Sequence, residues 1–326
     1  MHETIAEVGE LALIERLKPY CADVVGDDGA LVTVEPGHRL VVTTDVLVDE
    51  VHFSDRTTPP HSVGWRSVAA SLSDIAAMGG APLGITIGLG LPPQTSWQWV
   101  KELYRGMADC LDRYGGAMVG GDLCRANQRT VSITAMGQVQ PERAIYRHTA
   151  KPGMSVVITG VHGLSRAGLA SLVASEAPVD EVRARWIRAH QYPVPRFDAI
   201  AHLQNIAQTI DPYPTVAGMD SSDGLANALL QISQCSQVGL EIHRSQLPIS
   251  QALIDFAGAE KSLEWALYGG EDFELVLCVP SAVADRLVEK VEGAIAIGTV
   301  TETNGVCLLA SDGSSQIVGH QSFQHF

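Results

Sequence analysis

Apolar and polar positions recur along this chain with two periods, and each change of period marks an element. In GELALIERLKPY, Leu11, Ile14 and Leu17 recur three apart, which predicts a short amphipathic helix ending near Pro19. VVGDDGALVTV follows, a glycine-flanked acidic pair leading into a predicted strand, and LVVTTDVLV (40–48) is a further β-rich run carrying Thr and Asp. From His61 to Gly80 the period turns helical: Val68, Leu72 and Ile75 form one stripe, Ser67, Ser71 and Asp74 another, and the two glycines stop the helix. Its many alanines predict close packing on both sides. GITIGLGLPP reads as a strand closed by prolines, Trp97 to Tyr114 as an amphipathic helix, and AMVGGD as a short apolar run ending in glycines and an aspartate. TVSITAMGQV alternates, with Val131, Ile133, Ala135 and Val139 on one side and Thr130, Ser132, Thr134 and Gln138 opposite.

PERAIYRHTAKPG (141–153) breaks the pattern with two prolines before the apolar SVVITG. The expected organisation is therefore a first domain over 1–140, a linker over 141–153 and a second domain over 154–326. The second half repeats the grammar of the first: helical GLSRAGLASLVAS, helices on either side of YPVPR, and MDSSDGLANALLQIS with Leu225, Leu229 and Ile232 on one stripe. The strands GLEIH, FELVLCV and IAIGTV follow, GGED (269–272) lies among them, and GHQSFQHF reads as an unstructured tail. Strand and helix signals alternate throughout, so the fold class is α/β, without low-complexity segments or short-period repeats.

Composition narrows the function. A length of 326 residues suits about two domains, and 46% hydrophobic with 18% charged residues is ordinary for a globular protein. Only 22 Lys and Arg stand against 37 Asp and Glu, a net charge of −15, which repels a nucleic-acid backbone or an anionic membrane. No apolar run approaches the ~20 residues of a membrane span, and the acidic start MHETIAEVGE is unlike a secretory signal, so the expected location is the cytoplasm. The six cysteines (21, 110, 124, 235, 278 and 307) form no C-x-x-C pair and are expected to be small buried hydrophobes.

The candidate chemistry lies in the acidic residues: GDDGA (27, 28), TTD (45), SLSD (74), GGD (122), DSSDG (220, 223) and GGED (271, 272). A turn or N-cap role is the alternative for each one beside a glycine, Asp223 before Gly224 above all. Asp74 differs, because inside an alanine-rich helix a buried carboxylate costs several kcal/mol unless it is paired or bound to a metal. With only five lysines in the chain, so many carboxylates can share a pocket only when cations neutralise them. Hard oxygen ligands and nearby hydroxyls such as Thr43, Thr44 and Ser222 suit Mg²⁺, which bridges carboxylates to substrate phosphates. There is no G-x-x-x-x-G-K-[ST], no H-R-D or D-F-G set, and GLGLPP lacks the third glycine of a dinucleotide fingerprint.

GELALIERL, VVGDDGALV, TTDVLVDEVHF, SLSDIAAMGGAP, VGGD, RHTAKPG, SSDGL, GGEDFEL and the terminal HF occur in an order that resembles the thiamine-monophosphate kinase family nearly end to end. That family belongs to a superfamily with aminoimidazole ribonucleotide synthetase, selenophosphate synthetase and a hydrogenase maturation protein. The resemblance implies a two-domain α/β (α+β) fold whose N-terminal sheet forms a barrel across a homodimer, with ATP and several Mg²⁺ ions between the domains. It implies metal ligation by Asp28, Thr43, Thr44, Asp45, Asp74, Asp122, Asp220 and Asp223. ATP contacts fall on Tyr104, Gly121, Arg147 and Ser222, and contacts to thiamine monophosphate on His52, Glu271 and Phe323. Period-two geometry sends Thr43 and Thr44 to opposite faces, so one of them would ligate through its backbone carbonyl. The structural alternatives are a packed strand histidine for His52, a loop carboxylate for Glu271, a gap-filling tail residue for Phe323 and a solvated charge for Arg147. The chain departs from the family pattern at Gly29, Leu123 and MDSSDG.

The implied reaction passes the terminal phosphate of ATP to thiamine monophosphate, giving thiamine diphosphate and ADP. Because the acceptor is an anion, charge neutralisation and alignment suffice and no side chain is expected as a general base. The alternatives are a ligase like aminoimidazole ribonucleotide synthetase and a non-catalytic nucleotide-binding relative. GGEDFEL and the terminal HF weigh against the first, His52 and Glu271 against the second.

Overall fold

Two β-sheets organise the chain, each in its own unit. The structure, a computed structural model, describes residues 3–23, 25, 29–174 and 180–319. One unit comprises 1–75 and 80–141; the other comprises 76–79 and 142–326.

The first unit opens with α1 (Ile5–Val8) and α2 (Glu10–Leu17) and continues through β1 (Arg39–Val48), α3 (Pro60–Ala77), β2 (Ala81–Leu91), α4 (Trp97–Tyr114), β3 (Met118–Arg125) and β4 (Thr130–Val139). The sheet order is β1-β4-β2-β3, antiparallel except for β2 and β3, which pair in parallel and are joined through α4. Ile85, Ile87, Leu89, Val131, Ile133 and Ala135 are buried on one face, as the alternation predicts. On β1 the other face carries Leu40, Val42 and Val46, all exposed.

Helix α3 is buried nearly all round: Val68, Leu72 and Ile75, but also Ser67 and Ser71, have no accessible surface. A helix with no solvent face must approach its neighbours closely, and glycine makes this possible. A Cβ on Gly64 of α3 would overlap the carbonyl of Leu103, and one on Gly106 of α4 would overlap the carbonyl of His61. The two helices thus meet backbone to backbone.

The second unit contains β5 (Ser155–Ile158), α5 (Leu164–Val173), α6 (Glu181–Gln191), α7 (Phe197–Ala207), β6 (Ala217–Asp220), α8 (Leu225–Ser236), β7 (Gly239–His243), α9 (Gln251–Ala257), α10 (Ala259–Tyr268), β8 (Leu275–Val279), α11 (Ser281–Lys290), β9 (Ile295–Thr301), β10 (Gly305–Leu309) and β11 (Ser315–Ile317). Its strands lie in the order β11-β10-β7-β9-β5-β8-β6, and only β10 and β7 pair in parallel. Central strands β5 and β8 are covered on both faces, which is why their sequences are continuously apolar. Val156, Ile158, Val276 and Cys278 pack with Leu225, Leu229 and Ile232 of α8. The intervening Val157, Leu275, Leu277 and Val279 pack with Leu203 of α7 and Leu287 of α11, in a core that Ala76 and Ala77 join.

The structure departs from the sequence reading in several places. Residues 30–35 form no strand, since no neighbouring strand bonds them; Glu35 N donates instead to the Gln138 side chain at 2.8 Å. The GGD glycines and aspartate lie inside β3, whose pairing with β2 runs on to Arg125. Helices α9, α10 and α11 are additions to the predicted set. Cys110 and Cys278 are buried as expected, but Cys124, on edge strand β3, and Cys235, in the last turn of α8, are exposed. Asp28 and the tail over 320–326 lie outside the described residues. Among the described residues no helix is long and apolar enough to cross a membrane.

The helix crossing makes a stability prediction. Ala gains about 1 kcal/mol over Gly within a helix, but overpacking typically costs about 1–3 kcal/mol and backbone overlap lies at or beyond the upper end. Gly106→Ala is therefore expected to lower the urea midpoint; an unchanged or raised midpoint would show that the helices part easily.

Candidate functional site

In the first unit the candidate residues separate by sheet face. Thr43 and Asp45 point toward α3, two residues apart on β1. There Thr43 Oγ1 donates to Asp74 Oδ2 at 2.5 Å, and Ser71 Oγ donates to Asp45 Oδ2 at 2.8 Å. The polar stripe of α3 is thus buried because it faces β1, and its hydroxyl and carboxylate interlock with those of the strand. Thr44 lies on the opposite face, with its hydroxyl 2.9 Å from that of Thr134.

The strand register assigns the others. Gly121 shares a row with Asp45, Ile133 and Ile87, on the helix-covered side. Asp122 shares its row with Gly88, Ser132 and Val46, on the face of Thr44, so the structure does not bring it to Asp45 and Asp74. Tyr104 of α4 is buried, with its ring 6.1 Å from that of Tyr20, and burial pushes its phenol pKa up. His52 follows β1 in a turn rather than in the strand, and its Nδ1 accepts from Val48 N at 3.1 Å.

In the second unit two loops meet. One, DSSDG, runs from the end of β6 into α8; the other, GGED, runs from α10 toward β8. Glu271 N donates to Ser222 O at 2.6 Å, and Ser221 N donates to Glu274 O at 2.8 Å. Ser222 Oγ donates to Asp220 Oδ1 at 3.0 Å, and Asn227 reaches Asp223 at 3.4 Å. Asp220 is buried and Asp223 exposed. The GGED loop holds an unusual backbone: Gly270, Glu271 and Phe273 have φ of 66°, 58° and 53°. For the two that are not glycine this left-handed conformation costs about 1–3 kcal/mol each, persisting only where the surroundings impose it. Arg147 is exposed, and its guanidinium bonds Gln231 of α8 at 2.5 Å.

Comparison with known proteins decides the family. The models for the N-terminal and C-terminal domains of AIR synthase related protein match residues 26–139 and 151–309. A thiamine-monophosphate kinase of Synechococcus elongatus is 44% identical over 99% of this chain and 98% of its own length. This chain belongs to the thiamine-monophosphate kinase family. Among solved members, AaThiL complexed with AMPPCP and TMP is 32% identical with a TM-score of 0.78 over 98% of both chains. The thiamine-monophosphate kinase of Stenotrophomonas maltophilia is 30% identical with a TM-score of 0.81 over 94% of this chain and 98% of its own. The two-domain mixed α/β architecture is that of the thiamine-monophosphate kinases.

Whether these residues suit Mg²⁺ can be judged from their donors. Both clusters offer only hard oxygen atoms, carboxylates flanked by hydroxyls, with no Cys or His among them. Among the described residues no three His, Cys, Asp or Glu side chains gather closely enough to enclose an ion. Pairs of carboxylates fit Mg²⁺ better than a closed cage would, because Mg²⁺ keeps several waters and takes one or two protein carboxylates together with substrate phosphates. The donor set therefore fits Mg²⁺.

The sequence reading listed Asp272 among the acidic candidates without giving it a role, and passed over Glu274 and the partners that hold the GGED loop. Asp272 Oδ2 accepts from Gly163 N at 2.6 Å and Oδ1 from Ser165 N at 2.8 Å, satisfying two donors at the start of α5. Glu274 accepts from Thr159 Oγ1 and from Arg196, both at 2.6 Å. His190 lies with Nδ1 3.1 Å from Ser165 Oγ and 3.8 Å from Glu271 Oε2. The available signal was the acidic spacing of GGEDFE, but Arg196, Thr159 and Ser165 are far away in sequence.

Desolvation pushes the Asp272 carboxyl up to about 7, against the pull of its two N–H donors, with Glu274 and Glu271 adding repulsion. The folded protein then holds a proton that the unfolded chain releases near pH 4. That contribution to stability is complete below pH 4 and is lost as the pH rises through 7. In urea titrations from pH 4.5 to 8, wild-type stability relative to Asp272→Asn is expected to fall steadily. A gap independent of pH would mean that Asp272 is ionised throughout.

Proposed function

We infer that this chain phosphorylates thiamine monophosphate with ATP, releasing ADP and thiamine diphosphate. The observation that carries this reading is the direct bonding of the DSSDG loop to the GGED loop in the second unit. Asp220, Ser222 and Asp223 on the nucleotide side thereby stand beside Glu271 on the acceptor side. Such an arrangement suits transfer from one bound phosphate to another without a covalent intermediate on the protein. A relative solved with AMPPCP, an ATP analogue, and TMP supports it, as do curated relatives from cyanobacteria to Bacillus subtilis.

Asp45, Asp74 and Thr43 of the first unit, and Asp220 and Asp223 of the second, would hold Mg²⁺; the family pattern adds Asp28, Thr44 and Asp122, the last two from the other face of the first sheet. When bound, the ions neutralise the phosphates and the charge that develops during transfer. Ser222 and Arg147, with Tyr104 and Gly121, bind ATP. Glu271, His52 and Phe323 bind the acceptor, where a carboxylate suits the cationic thiazolium and an aromatic face suits its rings. An acceptor phosphate oxygen attacks the terminal phosphorus, the bond to the ADP oxygen breaks, and no proton has to be removed by the protein.

The exposed apolar residues of β1 support a homodimer in which this sheet face is covered, with the barrel as its closed form. Six free cysteines and the acidic surface suit the cytoplasm.

Purified protein with ATP, Mg²⁺ and thiamine monophosphate is expected to form thiamine diphosphate and ADP in equal amounts, with unphosphorylated thiamine inert. Release of free phosphate without thiamine diphosphate would favour the ligase reading instead. Asp74→Asn keeps an acceptor for Thr43 but removes the charge, so activity is expected to fall by orders of magnitude. In EDTA its melting temperature should hold or rise; a large fall there with near-normal activity would make Asp74 a structural residue. Sedimentation at micromolar concentration is expected to give a dimer, and a fully active monomer would overturn that assembly.

A further inference from the structure

One short segment makes three of the bonds just described between the GGED loop and the body of the second unit, although none of its residues is among the candidate ligands. It is the turn from Thr159 to Ser165, between β5 and α5. Thr159 holds Glu274, and the backbone at Gly163 and Ser165 holds Asp272. Between them His162, 2% exposed, reaches the DSSDG loop: its Nε2 lies 2.9 Å from Ser221 Oγ. Ser221 Oγ in turn donates to Glu274 O at 2.9 Å.

The hydrogens in this chain of contacts can be placed. A serine hydroxyl has one hydrogen, and here it is directed to the Glu274 carbonyl. Ser221 must therefore accept from His162, so the histidine proton sits on Nε2. The ring is neutral: burial pushes its pKa down to about 4, with the Gly160 backbone pulling the other way. Nδ1 is buried. A leucine could fill this space but could not donate to Ser221, so the Nε2 donor is what a histidine adds here.

We propose that His162 is a positioning residue: by donating to Ser221 it sets the DSSDG loop against the GGED loop and so aligns the donor and acceptor phosphates. Its effect passes through Ser221 and Glu274. This rests on the functional reading above. Each substrate keeps its own contacts when the link is cut, so binding survives while alignment is lost.

The test compares His162→Leu, which fills the space without a donor, with His162→Gln, whose amide nitrogen can stand near Nε2. Ser221→Ala cuts the same link from its other end. Steady-state kinetics are taken per mole of folded enzyme, judged by circular dichroism and thermal unfolding. Expected for His162→Leu is a kcat lower by about 10–100-fold with both KM values within about twofold of wild type. Ser221→Ala should match it, the double variant should be no worse, and His162→Gln should recover most of the loss. The proposal is overturned if His162→Leu keeps wild-type kcat, if His162→Gln falls as far as His162→Leu, or if the two losses multiply. Should His162→Leu not fold, Ser221→Ala and His162→Gln decide alone, on the same criteria. A wild-type protein that makes no thiamine diphosphate would defeat the functional reading instead.

Discussion

The carboxylate of Asp272, accepting the backbone N–H groups of Gly163 and Ser165, is the interaction on which the second unit's site depends. The first turn of a helix has N–H groups with no partner inside the helix, and the two carboxyl oxygens of Asp272 supply the missing acceptors. Here that carboxylate comes from a loop more than a hundred residues further along, so capping the helix also anchors the loop. The anchorage explains how Glu271 and Phe273, on either side of Asp272, are held at positive φ. Neither would keep such a backbone in an unrestrained loop, and the conformation turns the backbone N–H of Glu271 toward Ser222 O.

Glu274 extends the same logic. It is largely buried beside Arg196, and a buried ion pair becomes stabilising only when hydrogen bonds satisfy the remaining atoms. Thr159 supplies one such bond, and Arg196 also reaches the Thr159 carbonyl, Asp198 and Glu292. Gly160 leaves room for the carboxylate, since a Cβ there would overlap it. Packing and electrostatics thus agree about where the GGED loop sits.

The first unit meets the same problem, carboxylates in a poorly hydrated place, with hydroxyls among their partners. Asp74 takes a hydroxyl from Thr43 and Asp45 one from Ser71, each from the element opposite. A hydroxyl partly replaces the water a carboxylate loses on burial. The arrangement requires α3 to lie close over β1 while being packed on its other sides, which the glycine crossing with α4 allows.

Local pattern was sufficient for much of this. The span of α4, the alternation of β4, the opposite faces of Thr43 and Thr44, and the choice of SLSD, DSSDG and GGED as chemical motifs follow from period and residue type over a few neighbouring positions. The order of those motifs also carried the family. Other features had no local signature. Residues 30–35 are as strand-like as β1 yet join no ladder, Asp122 is turned away from Asp45 by its register, and the apolar residues of β5 and β8 divide between two cores. His162 looks like any histidine in a glycine-rich turn until Ser221 is placed beside it. Periodicity records which side of an element avoids water, a property of adjacent residues. Ladder partners, caps supplied from a distance and buried hydrogen bonds depend on atoms tens to hundreds of residues apart, and only the folded chain brings those together.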